Sequence, residues 1–322
     1  MFDSKDFFNL VDPSKNIIVA FSGGADSTAL LNYCYELKQQ NHFLGSLSAI
    51  HVNHAISPHA SAWEEHCQNF CSERNIPLIC QAIKIDGKKS GLESAARQGR
   101  YEVFKQNICS ADQLLLAHHA DDVAETVMFR LFRGTGIDGL NGPIKSRKLG
   151  EGILLRPWLG YPKAKLVSYL EDRRLDSIED ESNASNDQDR NFIRNEILPL
   201  ITKRWPHAIS HIQQTSSLVA QHLDVHEKLI YYYFSEDLFQ PSLSIESLKR
   251  IDEGMRNEVI RHWIKNNNVA VPNKKILHEI TKAFIRAQPS TKTLVEWSRA
   301  DKAQSGGVLT FVDGDLIINN KS

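Results

Sequence analysis

The stretch Asn16-Ile17-Ile18-Val19-Ala20-Phe21-Ser22-Gly23-Gly24-Ala25-Asp26-Ser27-Thr28-Ala29-Leu30-Leu31 decides how this chain is read. An apolar run ends in two glycines and restarts as a helix former, which is the pattern of strand, tight turn and helix. Glycines let backbone N–H groups approach an anion closely, and the helix start adds partial positive charge. Ser22 and Ser27 can donate hydroxyls to the same anion, so residues 22–27, Ala25 included, read as a phosphate cradle. Asp26 is the odd member. A carboxylate beside a phosphate repels it unless a divalent cation lies between, which marks Asp26 as a metal-side or catalytic residue. A plain turn with Asp26 capping the helix fits the same letters.

Working outward, apolar runs at 16–21, 47–53, 77–84 and 113–119 alternate with helical stretches near 26–40, 59–74 and 92–108. Short continuous apolar strands between helices predict an α/β fold, a Rossmann-like parallel sheet with helices on both faces. Ligands of such sheets bind beyond the carboxyl ends of the strands. Ser22–Ser27, His51-Val52-Asn53-His54 and His118-His119 all fall at those ends. Residues 1–15 read as an amphipathic lead-in helix, 145–149 with 150–155 as a hairpin, and 162–174 as a helix. A long helix over 206–234 leads to a second, mainly helical unit at 243–322. That unit is expected to be helical at 244–266 and 272–287 and to end in strand-like pieces at 308–312 and 316–319. The organisation predicted is thus 1–205, a helical linker 206–242, and 243–322.

Composition sets the outer bounds. A length of 322 residues suits two domains, and 41% hydrophobic with 24% charged residues is ordinary for a globular chain. No membrane span and no signal peptide is visible. Five cysteines without a C-x-x-C pair argue for a reducing, cytoplasmic setting. Cys67 and Cys71, four apart, are expected to face the core. The net charge of −1 does not announce a nucleic-acid protein. Local basic excess at 143–174 and 243–302 suits either a phosphate backbone or a solvated surface.

Four further stretches carry chemistry. Arg97 and Arg100 lie three apart on one helix face and suit one anion or a solvated basic face. In His118-His119-Ala120-Asp121-Asp122-Val123-Ala124-Glu125, Asp122 and Glu125 project together from a first helical turn. With His118 they suit a metal, an amine or a proton, or else plain capping of the helix dipole. The H-x-x-x-D spacing lacks a third soft ligand for zinc. Arg133-Gly134-Thr135-Gly136 suggests a loop closing over a phosphate or base. Glu179-Asp180-Glu181-Ser182-Asn183 precedes a helix ending at Leu198-Pro199, on which Arg190 and Arg194 face the same way, toward those acids or nucleic acid.

Together these blocks resemble a known family. Ser22-Gly23-Gly24-Ala25-Asp26-Ser27 is the SGGxDS loop of the PP-loop ATP pyrophosphatases, which cleave ATP between the α- and β-phosphates. The HVNH run 51–54, Ala96-Arg97-x-x-Arg100-Tyr101, 116–126, Leu131-Phe132-Arg133-Gly134-Thr135-Gly136, 179–183 and 190–194 follow in order, and that set resembles the tRNA(Ile)-lysidine synthetases. The likeness covers about 170 residues, weakens after 205, and extends to 243–320 as a first accessory domain for tRNA. Ala55 departs from the family's usual glycine, and no second accessory domain of longer members is expected within the 322 residues.

The resemblance implies a ligase that joins L-lysine to the wobble cytidine of a tRNA(Ile) with a CAU anticodon, through an adenylated cytidine, releasing pyrophosphate and AMP. It implies ATP contacts at Ser22, Gly23, Gly24, Ala25, Asp26, Ser27, His51, Arg97, Arg100, Arg133, Gly134 and Gly136. Asp26 would act with Mg²⁺, and Asp122 and Glu125, beside His118, would receive lysine. Arg190 and Arg194 are assigned to tRNA, and a homodimer is left open. Cytidine thiolation on the same fold is the nearest rival, but it needs C-x-x-C pairs. A small-molecule amide ligase or a non-catalytic nucleotide-binding module are the others. ATP turnover independent of tRNA would mark the amide ligase.

Overall fold

Ile17, Ile18 and Val19 are all buried, as a strand covered on both faces requires. The computed structural model describes residues 2–54, 59–83, 92–180, 184–298 and 305–321. Ala55 and Glu181-Ser182-Asn183, singled out in the sequence, lie outside the described residues.

The chain divides into two compact units, Met1–Ala220 and Gln221–Ser322. In the first, the elements are α1 (Ser4–Phe8), β1 (Asn16–Ala20), α2 (Ala25–Gln39), β2 (Leu47–Asn53), α3 (Ala60–Glu73), β3 (Leu78–Ala82), α4 (Leu92–Gln106) and β4 (Asp112–Leu115). They are followed by α5 (Ala120–Phe132), α6 (Ile137–Leu140), the hairpin β5 (Ser146–Leu149) and β6 (Gly152–Leu155), α7 (Lys163–Arg173), α8 (Asp189–Phe192), α9 (Leu198–Arg204) and the start of α10 (Ala208–Leu238). The sheet order is β3-β2-β1-β4-β6-β5. All neighbours are parallel except β5, which pairs antiparallel to β6 at the edge. The hairpin expected at 145–155 is therefore part of the main sheet.

Side chains alternate across the strands, and so does the core. Ile17 and Val19 join α2, α3 and α7 through Leu30, Leu31, Phe70 and Leu166. Ile18 and Ile50 face Val103 and Phe104 of α4 on the other side. From β1 the chain builds outward to β3, then crosses back to add β4 on β1's free side. The carboxyl ends of β1 and β4 thus flank the point where strand order reverses, the place where such sheets leave a crevice.

Two local expectations are corrected. The lead-in helix is only Ser4–Phe8, started by Asp3, which accepts from the Lys5 N–H at 2.8 Å. The helix bearing Arg190 and Arg194 does not stop at Pro199. It passes through a π-helical turn, Ile193–Ile197, in which the Leu198 N–H reaches the Ile193 carbonyl. The widened turn brings the helix to Pro199 near the start of α9, where a missing N–H costs least.

The second unit contains the end of α10, β7 (Ser242–Ser244), α11 (Ile245–Lys249), α12 (Glu253–Asn266), α13 (Lys274–Ile280) continued by a π-helical turn (Thr281–Arg286), β8 (Leu294–Trp297), β9 (Gly307–Val312) and β10 (Asp315–Asn320). The strand-like pieces at its end are β9 and β10. They pair around Asp313-Gly314, both at positive φ, and belong to a four-stranded antiparallel sheet ordered β7-β10-β9-β8. The helix expected over 244–266 is two helices, because Asp252 accepts from the Met255 N–H at 3.1 Å and caps a new start. Trp263, Phe284, Leu309 and Leu316 form a core of this unit's own.

Candidate active site

The turn after β1 is built by its glycines. Gly23 sits at φ +82°, where a side chain is strained, and a Cβ there would come within 2.6 Å of Ile178. Its carbonyl accepts the Ile178 N–H at 2.9 Å, which ties the turn to residues 175–180. Gly24 caps α2 without a side-chain acceptor, so the first N–H groups of the helix are left for an anion. Ser22 is exposed at the mouth. Ser27 is buried, donating to the Gly24 carbonyl at 3.0 Å while its oxygen lies 3.1 Å from that of Ser22. Ser27 holds the turn, and Ser22 is the hydroxyl that faces outward.

The tips of β2 and β4 complete the rim. His51 is buried, with Nδ1 2.9 Å from the Phe21 carbonyl and 3.4 Å from Cys67 Sγ, so it braces β1 against β2. His119 precedes α5 and is buried among three carboxylates. Its Nε2 lies 3.4 Å from Asp26 Oδ2 and 3.5 Å from Asp122 Oδ2, and its Nδ1 3.6 Å from Asp121 Oδ2. Burial opposes the charge, but Asp121, Asp26 and Asp122 outweigh it and push the imidazole up to about 10. Asp122 is correspondingly held low: burial works against its charge, while His119 and then His118 favour it. It also accepts the His119 backbone N–H at 2.9 Å, so helix capping and site chemistry are the same residue's work. Asp26 and Asp122, nearly a hundred residues apart in sequence, flank one nitrogen.

His118 has the opposite charge state. Arg156 Nε donates to its Nδ1 at 2.9 Å, and burial, aided by Arg156, Arg190 and Arg97, lowers it to about 4. At neutral pH it is an uncharged acceptor. The open cleft over these tips is about 1550 Å³ and includes Ser22, Asp26, His51, His118, His119 and Asp122. Arg97 and Arg100 of α4 give it a basic wall, with Arg156, just after β6, buried behind. Arg100 donates to His54 Nε2 at 3.3 Å, Arg97 lies over the Tyr101 ring at 5.2 Å, and Arg156 donates to the Tyr101 hydroxyl at 3.3 Å.

Residues 3–201 match the PP-loop domain family. This chain belongs to it. Residues 243–304 match the TilS substrate binding domain. Among curated relatives, the tRNA(Ile)-lysidine synthases of Legionella pneumophila (strain Paris), Haemophilus influenzae (strain 86-028NP) and Serratia proteamaculans are 34%, 34% and 35% identical over 88%, 85% and 83% of this chain. The chain spans 65%, 64% and 61% of their lengths. In fold, the chain is similar to the U34-tRNA thiolase of Methanococcus maripaludis, with a TM-score of 0.55 at 19% identity over 68% of this chain and 78% of that one.

Not every residue expected at the PP-loop site is brought to it. Glu125 is almost fully buried, and both its oxygens are taken by Arg194, at 2.6 and 2.8 Å. The same Arg194 Nη2 is 3.8 Å from Asp122 Oδ1. Thus Asp122 and Arg194 line the cleft and Glu125 stands behind them, and Arg194 is turned inward on an ion pair. Arg190 donates to Thr126 at 2.8 Å. Arg133, Gly134 and Gly136 are exposed and do not line the cleft; among the described residues a Cβ on either glycine meets nothing within 4 Å. Sequence reasoning placed both histidines at the strand end but gave the chemistry to His118, whereas His119 joins Asp26 to Asp122. It also missed Arg156 and Ile178. The position of Arg156 directly after a strand was a usable signal, since polar strand ends were already the guide to the site. Ile178 carried no such signal.

Proposed function

We propose that this chain forms lysidine: it joins L-lysine to the wobble cytidine of a tRNA(Ile) with a CAU anticodon, at the expense of ATP. The observation that carries the reading is the meeting of Asp26 and Asp122 on His119 directly beside a glycine cradle. A glycine turn suited to a nucleotide's phosphates and a carboxylate suited to an amine line one cleft, which supports this reading. The similarity to curated lysidine synthases along 83–88% of the chain supports the same substrates.

In the first step the carbonyl oxygen on the cytosine ring attacks the α-phosphorus of ATP and pyrophosphate leaves. The N–H groups at the start of α2, with the Ser22 hydroxyl, bind the leaving pyrophosphate, where charge develops. Arg97 and Arg100 offset the α-phosphate charge. Asp26 Oδ1 is a buried oxygen with no hydrogen-bond partner among the described residues, which fits a magnesium ligand. Asp26 would hold Mg²⁺ there, and the ion would supply neutralisation of the phosphate charge. In the second step the lysine ammonium loses a proton to solvent, its ε-amine attacks the activated ring carbon, and AMP leaves with the oxygen. Asp122 receives the lysine ammonium, and Glu125 acts through Arg194, holding it beside Asp122. Residues 243–304 bind the tRNA body, phosphate contacts setting the register of the anticodon.

Two of the five thiols count against thiolation. Cys67 and Cys71 are buried core residues whose thiols burial pushes up to about 12, the wrong state for a sulfur-relay nucleophile. The test is release of AMP and pyrophosphate by the purified chain. We expect release only when ATP, lysine and a CAU-anticodon tRNA are all supplied; release without tRNA would reassign the chain to small-molecule amide ligation.

A further inference from the structure

The second unit holds a group of side chains that lysidine formation does not use. His226 on α10 and Glu258 and His262 on α12 each offer one ligand atom, and all three atoms lie within 4.8 Å of one another. Glu258 and His262 are four apart and so share a helix face, with His226 supplied by the neighbouring helix. The His226 and His262 ring centres are 6.4 Å apart. Two imidazoles on one tetrahedral zinc, at bond lengths of about 2.0–2.1 Å, need about 5 Å, a spacing that side-chain rotation reaches. A second observation is independent of this proximity. His262 Nδ1 is buried and has no hydrogen-bond partner among the described residues, a state that is costly to keep and that a ligand would relieve. The neighbouring cations do not close the site: Lys265 is paired with Glu227 at 2.7 Å, and Arg261 reaches Glu258 only at 3.8 Å.

We infer that His226, Glu258 and His262 form a site for a divalent transition metal, zinc by ligand chemistry, which clamps the end of α10 to α12. Two imidazoles and one carboxylate suit zinc over magnesium or calcium, which take all-oxygen shells. Three protein ligands leave a fourth position for water.

The experiment titrates the full chain with Zn²⁺ by calorimetry, with Mg²⁺ in excess to occupy oxygen-only sites. The spectrum with Co²⁺ is recorded in parallel. We expect one high-affinity equivalent, a raised thermal midpoint, and tetrahedral cobalt bands without a thiolate charge-transfer band. His226→Gln/His262→Gln should weaken Zn²⁺ binding about 100-fold, while His119→Gln in the PP-loop unit leaves it unchanged. Unaltered affinity in the double variant overturns the site, as does its loss in His119→Gln, a thiolate band, or no saturable binding at all. Should the double variant fail to fold, Glu258→Gln with the cobalt spectrum of the parent chain decides the same point.

Discussion

Two glycine loops in the first unit look alike in sequence and do opposite things. Ser22-Gly23-Gly24 enters the fifteen-residue α2 at its amino end, whereas Arg133-Gly134-Thr135 leaves α5 at its carboxyl end and Gly136 opens only the four-residue α6. The first offers unpaired N–H donors and a positive dipole end. The second has its N–H groups turned back into the helix: those of Arg133 and Gly134 bond to the carbonyls of Arg130 and Leu131. Gly23 is pressed against Ile178, and Gly134 has open space around it. Glycine content therefore does not make an anion site; the polarity of the adjoining helix and the cover on the loop do.

The largest effect expected from this contrast is on chemistry. Asp26→Ala should reduce pyrophosphate release about 10³-fold, the scale for losing a group placed at developing charge, and Arg133→Ala should leave it within a few-fold. Equal losses, read in a pyrophosphate-coupled assay, would show that the outer loop closes on the nucleotide. Next in size is Gly23→Ala. Positive φ plus contact with Ile178 should cost about 2–3 kcal/mol in urea unfolding. Trimming the contact with Ile178→Ala in the same chain should return part of that loss.

Glu125→Gln sharpens the contrast from behind the site. Removing the charge that pairs with Arg194 should cost about 1–3 kcal/mol, reduced because Arg194 is partly exposed. Its effect on lysine attack should exceed that on adenylation; equal loss of both steps would place Glu125 in the nucleotide chemistry. A smaller signature is the pH profile of stability without added Mg²⁺. His119, raised to about 10, contributes stability present below about 6.5 and lost as pH rises through 10. His118, lowered to about 4, contributes stability present above about 6.5 and lost as pH falls toward 4. His119→Gln should flatten the alkaline limb and His118→Gln the acid limb, followed by unfolding midpoint against pH. The smallest effect is Gly134→Ala, at about 1 kcal/mol for a left-handed residue in open space, with turnover unchanged.

The parallel sheet, its helices on both faces and the cradle were legible because each is a local pattern. Apolar strand runs, a glycine turn and a helix start are dictated by backbone geometry within about ten residues. The rim of polar strand tips was legible for the same reason, since strand direction alone sends 21–27, 51–54 and 116–119 to one edge. The break at Asp252 was readable as a cap but was passed over in favour of a continuous apolar period.

What the amino-acid order determined by itself is thus the PP-loop scaffold and the set of residues at its mouth. Only the tertiary structure decided which of two adjacent histidines is charged, that Glu125 is matched to Arg194, that Ile178 braces the cradle, and that His226 meets Glu258 and His262. These depend on distances between residues remote in the chain and on how far each is removed from water. Coulomb interaction and desolvation act through space, and no spacing along the sequence encodes them.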